Sequence, residues 1–200
     1  MIYNFSKRVI SSLYHEKSKQ EQELYVYGFE ILLRGILSAF LILLISFFMD
    51  AFRECVIFLI LFMTIRIYIG GYHANTCIKC NLIFSFIFIM SVKFLPYIRK
   101  MSIEIYFWIT VLVMEMMIYR YAPLEHKNKH LTLYQQKKYK LVGGVLYLIC
   151  ILVSFIIHFI EQYFLKETKE RIVFAEASNY INLVLVIIGM LFIAGMKRER

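Results

Sequence analysis

The stretch Arg66-Ile67-Tyr68-Ile69-Gly70-Gly71-Tyr72-His73-Ala74-Asn75-Thr76-Cys77-Ile78-Lys79-Cys80 sets a histidine and two cysteines in a short polar break between two long apolar runs. A thiol beside an imidazole is the minimal equipment for nucleophilic catalysis. Outward from this break the chain reads as a scaffold that holds it at the edge of a membrane.

Of 200 residues, 60% are hydrophobic and 18% charged. A soluble domain carries roughly 25% charged residues, so this composition excludes an ordinary globular core. The apolar residues fall in long blocks rather than amphipathic stripes, as expected of an all-α polytopic membrane protein. We expect one domain over 1–200. Residues 1–23 do not read as a cleavable signal peptide. Ile2, Phe5, Val9, Ile10 and Leu13 recur there at helical spacing, which predicts an amphipathic helix lying on the membrane or else a frayed terminus. Cys55 and Cys150 sit in apolar runs and read as small hydrophobes. The net charge of +9 reads as an orientation signal, with no nucleic-acid partner expected.

Six spans are expected within 26–196, over 26–49, 52–69, 82–97, 103–119, 141–160 and 177–196. A bilayer core of about 30 Å needs about 20 helical residues, so the third span is short. The second and third could instead form a hairpin that does not fully cross. The loop after the fourth span carries Arg120, Lys127, Lys129, Lys137, Lys138 and Lys140 against Glu125, and the chain ends Lys197-Arg198-Glu199-Arg200. The opposite side has Asp50, Arg53 and Glu54, then Arg99 and Lys100, then a loop of mixed sign from Glu161 to Glu176. The positive-inside rule then puts both termini and the 70–81 break in the cytoplasm, where thiols stay reduced.

Gly70-Gly71 can take backbone angles closed to other residues, so the second span should end or bend there. An imidazole exchanges protons near neutral pH, which suits His73 to acid–base work. A cysteine at the start of the third span faces the positive end of that helix, which favours a thiolate, and Lys79 acts in the same direction. If 73–80 were one helix, Cys77 at i+4 from His73 would be the closer partner. Cys80 at i+7 would lie about 10 Å along the axis. Other readings stand beside catalysis. His73, Cys77 and Cys80 form H-x3-C-x2-C, three possible zinc ligands that a non-enzymatic binder or transporter could use. Cys77 and Cys80 also form a C-x-x-C redox pair. In the plainest reading both thiols simply help a helix begin.

The pattern Arg66, Gly70, Gly71, Tyr72, His73, Ala74, Thr76 and Cys80 resembles the signature of the accessory gene regulator B (AgrB) family, membrane peptidases of Gram-positive quorum sensing. Weaker similarity extends to 27–32, to Ala122-Pro123-Leu124, and to Asn128-Lys129. The resemblance implies a cysteine peptidase at the cell membrane, with Cys80 as nucleophile, His73 as base and no cofactor. It implies an AgrD-type precursor peptide as partner, cleaved before an acidic tail through a Cys80 thioester and closed to a thiolactone or lactone ring. It is compatible with a homodimer. Helical spacing points to Cys77 and the resemblance to Cys80, so taking the resemblance, 73–80 is not one straight helix and Cys80 belongs in the first turn of the next.

Arg66, Gly71 and Thr76 are candidates for binding substrate or steadying the oxyanion. Arg66 could equally snorkel or pair with Glu30. Lys127, Lys129, Lys137 and Lys138 could recruit an acidic tail, or serve topology alone. Glu30 and Arg34 at i,i+4 suit a structural ion pair. Glu115 lies deep in the fourth span, His158 and Glu161 close the fifth, and Gly143-Gly144 suits close helix packing. Asn75, Thr76, Asn81 and Asn128 could each orient His73.

Overall fold

The computed structural model describes residues 2–15, 18–71, 76–100, 104–124, 132–165 and 169–199. Among them the chain forms helices only: α1 (Ile2–Leu13), α2 (Lys19–Met49), α3 (Phe52–Ile69), α4 (Cys77–Lys100), α5 (Glu104–Tyr121), α6 (Leu133–Tyr163) and α7 (Lys169–Glu199). The long helices run well past the apolar runs because local chemistry caps them. Ser18 and Glu21 form a reciprocal capping box that starts α2, and Thr132 and Gln135 do the same for α6. At 1.5 Å per residue, a helix of 31 residues is about 46 Å long, more than a bilayer core requires.

The bundle is built around α7, which packs against α3, α4, α5 and α6. Its apolar stretch is 56% buried, whereas that of α2 is 11% buried. Polar groups help to hold the centre. Tyr147 of α6 donates to the Leu185 carbonyl at 3.0 Å, Ser154 of α6 meets Ser178 at 3.1 Å, and Ser91 of α4 meets Tyr180 at 2.9 Å. Such interhelical bonds within a membrane contribute about 0.6 kcal/mol each on average. Close packing needs glycine at Gly143, where a Cβ would lie 2.6 Å from Ile69 Cγ2. The outer surface stays apolar, with Phe47, Phe48, Leu82, Met116 and Leu141 all exposed. An exterior of this kind suits lipid rather than water.

Among the described residues, four helical segments are long and apolar enough to cross a membrane: Lys19–Met49, Ile78–Ile98, Leu133–Tyr163 and Arg171–Lys197. The chain is an all-α membrane protein, but the expected count of six spans is not carried by all six helices. α3 includes Arg53, Glu54 and Arg66, and α5 includes Glu104, Glu115 and Arg120, and each is 18 residues long. The expected short third span is corrected too. α4 has 24 residues, because Thr76 starts the helix ahead of the apolar run. The second span ends as expected, with Gly70 closing α3.

The N-terminal segment forms the helix α1, but the structure does not present it as lying alone on a surface. It folds back on α2: Tyr14 stacks on Tyr25 at 5.0 Å, and Gln22 donates to the Tyr14 carbonyl at 2.9 Å. Its apolar positions also part company, with Ile10 buried and Phe5 and Leu13 exposed.

Candidate functional site

The break between α3 and α4 is shaped by its glycines and by the segment after α5. Gly70 has φ 78°, and a Cβ on it would lie 2.7 Å from the Leu124 carbonyl oxygen. Leu124 N–H in turn donates to the Ile69 carbonyl at 3.0 Å. The Ala122-Pro123-Leu124 segment therefore seats directly on the end of α3, which gives its place in the resemblance a structural reason. Gly71 has φ 143° and lies against the Leu191 carbonyl and Arg66 Nε.

α4 begins with a side-chain cap. Thr76 Oγ1 accepts from Lys79 N–H at 3.3 Å, and the Thr76 carbonyl accepts from Cys80 N–H at 3.0 Å. Cys80 is thus the fourth residue of α4, within its first turn. It lines a small cavity of about 10 Å³ with Phe62, Arg66, Ile83, Phe84, Ile87 and Leu191. That volume is at the lower limit for one water molecule. Arg66 lies across the cavity, within electrostatic range of Cys80 and 5.1 Å from the Phe62 ring centroid. Beneath it Phe58, Phe62, Phe84 and Phe88 join α3 to α4, with centroids 4.7–5.4 Å apart. The two backbones themselves meet only lightly, so aromatic side chains bridge the gap.

His73, Lys127 and Lys129 lie outside the described residues, as does the Cys77 side chain. The histidine–thiol geometry, the redox pair and the three-ligand metal reading all fall on them. Of the remaining candidates, the structure brings Arg66, Gly71 and Cys80 to one place. Thr76 stands beside them with its hydroxyl engaged in the helix cap. Lys137 and Lys138 are exposed on α6 rather than in a loop, because the Thr132 cap begins that helix earlier than the apolar pattern suggests. Arg66 stacks on Phe62, while Glu30 pairs with Arg34 within α2.

Glu115 lies against Gly144, and its Oε2 is buried without a hydrogen-bond partner among the described residues. At the other end of the bundle a wider cavity of about 810 Å³ is lined by Asp50, Arg53, Glu54, Pro96 and Glu176, among others. Its charges serve mainly as staples: Arg53 Nη2 contacts Glu54 at 2.7 Å and Glu176 at 2.8 Å. The smaller cavity holds a thiol and a cation together, so it is the better candidate for chemistry. Sequence reasoning missed Leu191. It lies more than a hundred residues from Cys80, and no local pattern marks it.

These features define an integral membrane protein with a buried-edge thiol site behind a double-glycine break. The accessory gene regulator B (AgrB) family model matches residues 6–196, and the chain belongs to that family. A provisionally named AgrB-like protein of Clostridium perfringens (strain SM101 / Type A) is 25% identical over 171 residues, covering 80% of this chain and 79% of its own. A provisionally named AgrB-like protein 2 of Clostridium perfringens (strain 13 / Type A) is 24% identical over 199 residues, covering 93% and 92%. No solved structure was found to match the chain.

Proposed function

We propose that this protein is a membrane-integral cysteine endopeptidase that processes a precursor of a cyclic quorum-sensing peptide. Family membership supports autoinducer processing. The observation that carries the thiol chemistry is the placement of Cys80 in the first turn of α4, facing Arg66 in an apolar cavity.

In this reading His73 takes the Cys80 proton and the thiolate attacks the carbonyl before the precursor's C-terminal tail. The carbon–nitrogen bond breaks, His73 returns the proton to the leaving amine, and an acyl thioester remains on Cys80. The precursor's internal thiol or hydroxyl then attacks that thioester, closing the ring and freeing Cys80. Arg66 and backbone amides at the start of α4 steady the oxyanion. Gly71 lets the chain pass close to Arg66, and Thr76 holds the first turn in place. The lining of Phe62, Ile83, Phe84, Ile87 and Leu191 excludes the water that would hydrolyse the acyl-enzyme.

The proposal extends to topology. α3 and α5 complete six crossings inside the bundle, both termini face the cytoplasm, and α1 rests at the interface beside α2. Lys127, Lys129, Lys137 and Lys138 attract the acidic tail before cleavage.

The test is co-expression with an AgrD-type precursor and mass analysis of the product. The ring-closed signal segment is expected one water lighter than its hydrolysed form. A linear product would contradict ring closure. Unchanged tail removal by Cys80→Ala would contradict the nucleophile.

A further inference from the structure

Asn81 follows Cys80 on α4, and its side chain reaches α2. Ser38 Oγ lies 2.6 Å from Asn81 Oδ1 and 2.8 Å from the Arg34 carbonyl oxygen. Ten residues along α4, Ser91 is bonded to Tyr180 of α7. The two attachments are about 15 Å apart along the axis and go to different neighbours. Together they attach α4 to α2 and to α7.

Rotation matters for the thiol. α4 packs mainly on α2 and α7 and only lightly on α3, yet Arg66, which faces Cys80, belongs to α3. The rings of Phe84 and Phe88, one and two turns beyond Cys80, pack on Phe58 and Phe62 of α3, whereas Asn81 ties the first turn of α4 itself to α2. A cysteine sulfur stands roughly 5–6 Å from a helix axis, so a 20° turn of α4 would carry it ~2 Å. Displacements of about 1 Å can cost about 100-fold in a positioned reaction.

We propose that Ser38 and Asn81 are positioning residues for Cys80: their hydrogen bond holds the first turn of α4 so that the thiol faces Arg66. The catalytic consequence rests on the peptidase reading above, but the geometric claim does not.

The two are separated by reading the thiol directly. The full chain, with Cys55, Cys77 and Cys150 replaced by serine, is reconstituted in nanodiscs. Cys80 is modified by two methanethiosulfonates, one carrying a sulfonate and one a quaternary ammonium. A guanidinium beside the thiol favours the anionic reagent, so the ratio of the two rates reports the Cys80–Arg66 neighbourhood regardless of yield. Arg66→Gln sets the floor. Ser38→Ala and Asn81→Ala are each expected to lower the ratio by about fivefold or more toward that floor. Ser38→Thr should retain it. Ser154→Ala, which removes a comparable hydroxyl pair between α6 and α7, should leave it unchanged. Ser38→Ala deletes a single hydroxyl and keeps the test available should Asn81→Ala fail to fold.

An unchanged ratio in Ser38→Ala, with only a lower melting temperature, would overturn the proposal and leave the pair as interhelical glue. In the processing assay the same variants are expected to lose turnover without a matching change in KM. If Cys80→Ala still processes precursor while the ratio falls as expected, the peptidase reading fails and the positioning geometry stands.

Discussion

At one end of the bundle Arg53 bridges Glu54 and Glu176, and Glu161 is held by Arg171 at 3.2 Å and His158 at 3.3 Å. At the other end Arg66 lies over a phenyl ring and faces a thiol across a cavity that barely admits one water. The first arrangement joins helix ends: Arg53 ties α3 to α7, and Arg171 ties α7 to α6. Arg53 and Arg171 each meet a carboxylate of a neighbouring helix there. The second sets a cation against a reactive group in apolar surroundings. A charge within a membrane protein is costly and usually marks either a structural pair or a working site. On the proposed function, the first end is structural and the second carries the chemistry.

Substitutions should separate the two ends, and the largest effect belongs to the thiol. Cys80→Ala should reduce tail removal by about 1,000-fold or more with little change in melting temperature. Gly70→Ala adds a Cβ 2.7 Å from the Leu124 carbonyl at a φ that alanine rarely adopts. It should destabilise the protein by about 1–3 kcal/mol, read as a lower melting temperature in detergent, and also reduce processing because the break moves. Arg53→Ala strands the buried Glu54 carboxylate, and should cost about 1–3 kcal/mol while leaving turnover per folded molecule unchanged. A turnover loss without destabilisation would contradict the division of roles. The smallest effect is expected on α6. Lys137→Glu with Lys138→Glu should weaken processing of a precursor with an acidic tail a few-fold, less so in high salt, and spare a tail-trimmed one. Equal losses for both precursors would argue for topology alone.

The membrane class, the helical architecture and the end of α3 at Gly70 were all legible in the sequence, because apolar blocks and a glycine pair act locally. Helix limits were not. Ser18, Thr76 and Thr132 extend helices into polar sequence through hydrogen bonds that a hydropathy pattern does not register. This moved Lys137 and Lys138 from a loop onto α6 and lengthened the short third span. The site was half legible. Arg66 and Cys80 stood out as a charge and a thiol beside a break, whereas Leu124, Leu191 and Ser38 reach it only through tertiary packing. Spacing within a single helix favoured Cys77. That premise does not hold as far back as Thr76, since the helix carrying Cys80 starts after it.

The most direct test of the central claim is to trap the acyl-enzyme. A precursor whose internal nucleophile is replaced by alanine cannot close its ring, so the thioester should accumulate. Intact-mass and peptide-level analysis after rapid acid quench should find the truncated precursor linked to Cys80, and the adduct should disappear on hydroxylamine treatment. An adduct on Cys77 instead, or tail removal at the normal rate with no adduct and with Cys80→Ala fully active, would contradict the account.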